Sequence, residues 1–151
     1  MAITFTNRIK ENVIDSMEAI IKAEFPTVPI AFGKDLPIQG SQWFRLIPVS
    51  DSSEALALDG ETRRYAVQLR YLVMIGGRDS KSTHFTRLSS MGEHIKRLMA
   101  NNRNYSPSGA YKYHDLVCVS VNYDADLLED EDVGDLSAVS WEIEVSVGET
   151  F

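Results

Sequence analysis

The sequence predicts an α+β domain: a mixed or antiparallel β-sheet with a long protruding hairpin and two α-helices packed on one face. Three observations predict it. Apolar residues recur at helical spacing over 7–25 and again over 82–101. They recur at every second position over 62–75 and 137–147, the side-chain period of a strand. The order is therefore helix, strands, helix, strands, with no internal repeat and no linker long enough to divide residues 1–151 into more than one domain.

In the first helix Ile9, Val13, Met17, Ile20, Ile21 and Phe25 form the apolar stripe, and Pro26 ends it by removing a donor and clashing with the preceding turn. Residues 26–41 carry three prolines and two glycines, and Val28–Phe32 reads as a short edge strand because Pro29 cannot donate to a central ladder. Gln42–Val49 is a strand. Ser50–Glu61 reads as a polar connection ending in the turn dipeptide Asp59-Gly60, with Leu56 and Leu58 as an apolar island. The simplest arrangement is a hairpin of 42–49 with 62–75 whose tip is loose in the isolated subunit; the alternative is a loop folded back onto the domain.

Thr62–Gly77 is the stretch on which the rest depends. Tyr65, Val67, Leu69, Tyr71, Val73 and Ile75 line one face, while Ala66, Leu72 and Met74 make the other partly apolar. About 14 strand residues run to roughly 45 Å at about 3.3 Å each, more than a domain of this size needs for its own core. The excess implies that the strand projects and pairs with another copy of the chain. Gly76-Gly77-Arg78-Asp79 ends it, and Ser80, Ser82 or Thr83 caps the second helix, whose stripe is Phe85, Leu88, Met91, Ile95, Leu98 and Met99, with Gly92 allowing close approach to the sheet. Leu116–Asp124 follows as a strand with Val117, Val119, Val121 and Tyr123 on one face. In Ser137–Val147, Val139, Trp141, Ile143, Val145 and Val147 point inward and Ser140, Glu142, Glu144 and Ser146 outward.

The chain is large enough to bury a core without disulfides, and its single cysteine, Cys118, reads as a small buried hydrophobe. No N-terminal apolar region marks it for secretion, and no run is long enough to span a bilayer, so a cytosolically made protein without membrane contact is expected. Charge is polarised. Residues 1–115 hold all 15 Lys and Arg against 12 acids, whereas residues 116–151 hold 10 acids and no base. Such asymmetry fits complementary faces meeting between molecules and argues against nucleic-acid binding by the C-terminal quarter, because phosphate contacts need cations. The basic segment Arg78–Lys112 carries no recognised nucleic-acid motif and reads as a solvated helix face.

Catalytic signatures are absent from the reading. His84, His94 and His114 lack metal-ligand spacing, and no nucleophile elbow, phosphate-binding loop or dinucleotide fingerprint occurs. The expectation is a protein that is not an enzyme and has no cofactor. The run from Asp124 to Asp135 packs seven acids into twelve residues, including Glu129, Asp130, Glu131 and Asp132. As a calcium loop it lacks Gly at the sixth place and Glu at the twelfth. It reads either as a solvated turn or as a patch meeting basic residues of a neighbouring subunit, with Arg63, Arg64 and Arg70 of the long hairpin as the partners.

This succession, a first helix at 7–25, a hairpin at 42–75, a second helix at 82–101 and final strands at 116–124 and 137–147, resembles the tail terminator (tail completion) proteins of long-tailed bacteriophages. The resemblance is architectural, covers nearly the whole chain and carries no short diagnostic motif. It implies a virion structural protein, assembled in the host cytoplasm, that forms a hexameric ring. Such a ring caps the tail tube, stops its polymerisation and presents a surface to the neck. The implied partners are further copies of the chain, the tail tube protein and a neck or connector protein, with DNA passing through the lumen unbound. Leu56, Leu58, Arg63, Arg64 and Arg70 are then candidates for the subunit interface, and Glu129, Asp130, Glu131, Asp132, Glu142 and Glu144 for an acidic lumen or rim. Another neck or head-completion subunit is the nearest alternative, and a small binding module or enzyme unconnected with phages the more distant one.

Overall fold

The computed structural model describes residues 2–32, 41–74, 81–130 and 134–150. Residues 33–40 of the Pro/Gly-rich stretch, Ile75, Gly76-Gly77-Arg78-Asp79, expected as a turn, Ser80, Glu131 and Asp132 lie outside the described residues. The first helix opens with a π-helical segment, Ile9–Ile14, before α1, Asp15–Glu24. The π-segment inserts a residue into the turn and rotates the stripe, so that Asn12 is buried beside Val13 and Ile14. Its amide nitrogen donates to the Lys112 carbonyl at 2.8 Å, which satisfies the buried group and ties the helix to the loop before the last two strands.

Five strands form one sheet in the order β1-β2-β3-β5-β4. They are β1 (Ile30–Phe32), β2 (Gln42–Ala57), β3 (Gly60–Met74), β4 (His114–Asp130) and β5 (Gly134–Thr150). All neighbours are antiparallel except β1, which lies parallel to β2 at the edge, where Pro29 uses its carbonyl to accept from the Phe44 amide at 2.9 Å. Helix α2, Lys81–Asn101, is the second helical element, so Ser82 and Thr83 fall within it and do not cap it.

Two expectations about the hairpin are corrected. Residues 50–57 are not a loose polar connection: β2 continues to Ala57, a two-residue turn at Leu58-Asp59 follows, and β3 begins at Gly60. Polar side chains exposed on both faces leave no period-2 signature, yet the backbone ladder persists through bulges between Pro48 and Ser50 and between Ser53 and Ala55. Nor does β3 wait for a sister chain along its length. It is paired with β2 on one side, over Gly60–Val73, and with β5 on the other, over Gly60–Met74. Its length is matched by equally long neighbours, so both of its edges are closed inside one chain. Gly60 makes the near end of this closure possible, since a Cβ there would lie 2.2 Å from the Glu149 carbonyl oxygen.

The acidic run is likewise mostly strand. The β4–β5 ladder, irregular between Asp124 and Leu128, resumes at Leu128↔Leu136 and continues to Asp130↔Gly134, so most of the expected twelve-residue loop is strand. In β4 a register shift between Cys118 and Ser120 splits the expected face: Leu116 is buried, Cys118 and Val121 pack against the core, and Val117 and Val119 are exposed. Burial of the Cys118 thiol raises its pKa.

The principal core lies between the helices and one face of the sheet. It joins Val13, Met17 and Ile21 of the first helix, Leu88, Ile95 and Met99 of α2, and the inward faces of β3 and β5. Val139, Trp141, Ile143, Val145 and Val147 are all buried there, as their alternation requires. Trp141 donates its indole N–H to the Gly92 carbonyl at 3.2 Å. A Cβ at Gly92 would stand 2.2 Å from the Tyr123 hydroxyl, so the absent side chain is what lets α2 settle onto the sheet. On the opposite face a smaller cluster of Trp43, Leu72 and Ala138, with Met74 beside it, accounts for the partly apolar second side of β3.

Candidate assembly surfaces

The outer part of the β2–β3 ribbon is the most exposed regular structure in the described chain. Every residue of β2 from Pro48 to Ala57 is exposed, and β1 covers the outer edge of β2 only at Phe44–Leu46. At the tip Leu56 is 75% and Leu58 107% exposed. A strand edge uncovered by any described residue and carrying exposed leucines is a surface shaped for a protein partner, moderated here by two bulges and by acidic residues.

The arginines of this ribbon are engaged within their own chain. Arg63 is held by Asp51 across the hairpin and by Glu61 at 3.2 Å, and these two hydrogen bonds raise its pKa. Arg64 donates to the Asp115 carbonyl and to Ser146 Oγ, both at 2.8 Å, and Ser146 Oγ in turn donates to Glu54 at 2.7 Å. Arg70 donates to Gln68 at 3.0 Å. With Asp51, Glu54, Asp59 and Glu61 against Arg63 and Arg64, the ribbon end carries a net negative charge beside its exposed leucines. Sequence reasoning counted these charges but had no means of pairing them.

Glu142 is exposed and Glu144 half-buried, side by side on the face of β5 that points away from the helices. Neither forms an ion pair among the described residues. Together with Val49, Ala66, Arg70 and Val119 they line a shallow concavity of ≈ 450 Å³ on the open face of the sheet. The backbones of Glu129 and Asp130 lie at the far end of β4, remote in register from Glu142. Of the histidines, His94 spans the helices, its Nε2 2.7 Å from Glu24 Oε1 and its ring against Phe25. No cluster of three or more potential metal ligands occurs among the described residues, and no helix there is long and apolar enough to cross a membrane.

One surface had no sequence signal. Phe85, expected in the apolar stripe of α2, is 65% exposed and stands 6.5 Å, centroid to centroid, from Tyr123, itself 41% exposed. The pair sits where α2 meets the outer edge of the sheet at β4. Lys96, one helical turn beyond Gly92, borders it and is paired with Glu93 at 2.6 Å.

No protein-family model and no curated protein matches the chain. Among solved structures, one chain that bears no functional name aligns over 96% of this chain and 96% of its own, at 16% identity and a TM-score of 0.56. The two share a fold. The sheath/tube terminator of an extracellular contractile injection system, PVC, in its extended state, aligns over 99% of this chain at 12% identity and a TM-score of 0.48; the alignment covers 59% of that protein's length.

Proposed function

We propose that this chain is a structural subunit of a phage-like tail, a tail terminator that closes into a ring, six copies by the sequence resemblance. The ring caps the tail tube, ends its polymerisation and joins the tail to the neck. The observation that carries the reading is the ribbon end: a strand edge without a neighbour over Ser50–Ala57 among the described residues, and exposed leucines on its tip. That surface has no use in an isolated subunit and an evident one in an assembly. Its partners are other copies, the tail tube protein and a neck protein; its place is the virion; and its work needs neither catalysis nor a cofactor. Tails assembled without the chain are expected to overgrow and to stay unjoined to heads, as electron microscopy of particles from a deletion strain would show. Tails of normal length that fail to join heads would instead make it a neck subunit, and normal, joined tails would remove the reading altogether.

In this reading the carboxylates of Glu142 and Glu144 face the lumen, where negative charge keeps a passing duplex from adhering. Reversing both to Lys is expected to slow DNA exit while assembly stays intact, because both side chains lie outside the core and make no ion pair among the described residues. Ejection kinetics indistinguishable from the parent particle would place these residues away from the DNA path.

A further inference from the structure

We infer that Arg70, with Arg45 directly opposite it, touches the backbone phosphates of the duplex that passes through the ring. The inference rests on the lumen reading of Glu142 and Glu144 above and deepens it, because all four side chains belong to one face of the sheet. Residues directly opposed on neighbouring strands share a face. Arg45 stands opposite Arg70, Arg70 opposite Ser140 and Ser140 opposite Asn122, so a single row crosses β2, β3, β5 and β4. The next row on that face is Ile47, Gln68, Glu142 and Ser120, and Glu144 lies one row further, opposite Ala66. Two residues of strand separate successive rows, about 7 Å at about 3.3 Å each. The face that carries the carboxylates is therefore not uniformly negative; it carries guanidinium groups in the adjoining row.

The arginines of β3 on this face differ in what they have left to give. Arg64 is committed to the Asp115 carbonyl and to Ser146 Oγ. Arg70 donates through Nε to the neutral Gln68 Oε1 at 3.0 Å, and its two terminal nitrogens have no partner among the described residues. It is half-buried, so its stem is held by the sheet while the Gln68 bond sets the direction of the guanidinium plane. A planar fork of N–H groups held in one direction suits the paired oxygens of a phosphodiester better than a freely swinging ammonium does. Arg45 opposite adds a second positive charge to the same row, and the exposed amide of Asn122 ends it.

The neighbouring carboxylates decide how firm this contact is. Arg70, Glu142 and Glu144 line the same concavity of ≈ 450 Å³, so a phosphate drawn to the arginine meets negative charge in the next rows. Attraction at one level and repulsion at the next make a brake on the duplex, not an anchor. Because the attraction is between a phosphate and a cation, added salt removes it.

Two substitutions test it: Arg70→Gln removes the charge and Arg70→Lys keeps it. Urea midpoints equal to the parent's check that the fold is intact. The readout is DNA release from purified particles, triggered in vitro and followed with an intercalating dye. Arg70→Gln particles are expected to release DNA with a half-time at least about twofold shorter than the parent's in about 0.05 M salt, and with the parent's half-time in about 0.5 M, where ions already screen the contact. Arg70→Lys should stay close to the parent at both concentrations. Equal half-times for Arg70→Gln and the parent in low salt, or a difference that salt leaves untouched, would overturn the inference. So would an Arg70→Gln chain of parental urea midpoint that fails to assemble, since Arg70 would then belong to a subunit contact. The reversal of Glu142 and Glu144 keeps this result apart from the reading beneath it. If that variant slows release while Arg70→Gln changes nothing, the lumen face stands and the phosphate contact falls; if neither alters release, both fall.

Discussion

Trp141→Ala is expected to destabilise the domain by about 3–5 kcal/mol, a large part of the 5–15 kcal/mol that holds a typical domain together. Trp141 is fully buried at the centre of β5, and its indole N–H donates to the Gly92 carbonyl. Truncation removes the largest group between sheet and helix, leaves a void that close-packed neighbours fill only in part, and deprives the carbonyl of a donor. Trp141→Phe separates the two terms: it keeps most of the packing and is expected to cost about 1–3 kcal/mol. Urea denaturation followed by far-ultraviolet circular dichroism measures both. A loss below about 1 kcal/mol for the alanine variant would mean that α2 is held to the sheet by something other than this seat.

The second large effect is expected in alkali. Tyr113 is buried, its hydroxyl donating to the Asn102 carbonyl at 2.8 Å and its ring stacked on Tyr105. Burial, with the nearby Tyr105 adding to it, holds its pKa far above the ordinary 10.0. The fold therefore keeps this phenol protonated under conditions in which the unfolded chain releases the proton. The resulting stability is complete below pH 10 and declines as pH rises above it, by up to about 1.4 kcal/mol per pH unit. Tyr65, whose pKa burial also raises, acts in the same direction. Tyr113→Phe is expected to cost about 1 kcal/mol at neutral pH, through the lost hydrogen bond, and to flatten the alkaline decline. Urea midpoints of parent and variant between about pH 9 and 11 test it; parallel declines would assign the alkaline limb to other groups.

Where side-chain pattern and backbone pairing agree, the fold was legible. Val139 to Val147 alternate without interruption because one side of β5 meets the helices and the other points away from them. Met17, Ile20 and Ile21 keep helical spacing for the same reason, and Pro29 marks an edge because it has no proton to give. Where the two part company, the pattern misled. Residues 50–57 and 125–130 are strand with little apolar periodicity, held by main-chain hydrogen bonds to neighbours whose presence no local window contains. Val117 and Val119 face outward, and the register shift between Cys118 and Ser120 brings Val121 inward although its spacing from both is regular.

The sequence by itself determined the class of the fold, its helical stripes, the long β3 and the bare leucines at 56 and 58, since each follows from residue spacing or turn chemistry within a short window. Only the tertiary structure decided which charges are spent and which surfaces remain open. Arg63 is an available cation in a count of residues and a neutralised one beside Asp51 and Glu61. Phe85 belongs to the apolar stripe of α2 by spacing, yet it lies beyond the edge of the sheet, next to Tyr123 from a strand some forty residues away. Pairing, exposure and the distance between two surfaces are properties of elements brought together from remote parts of the chain, and a linear pattern holds no record of them.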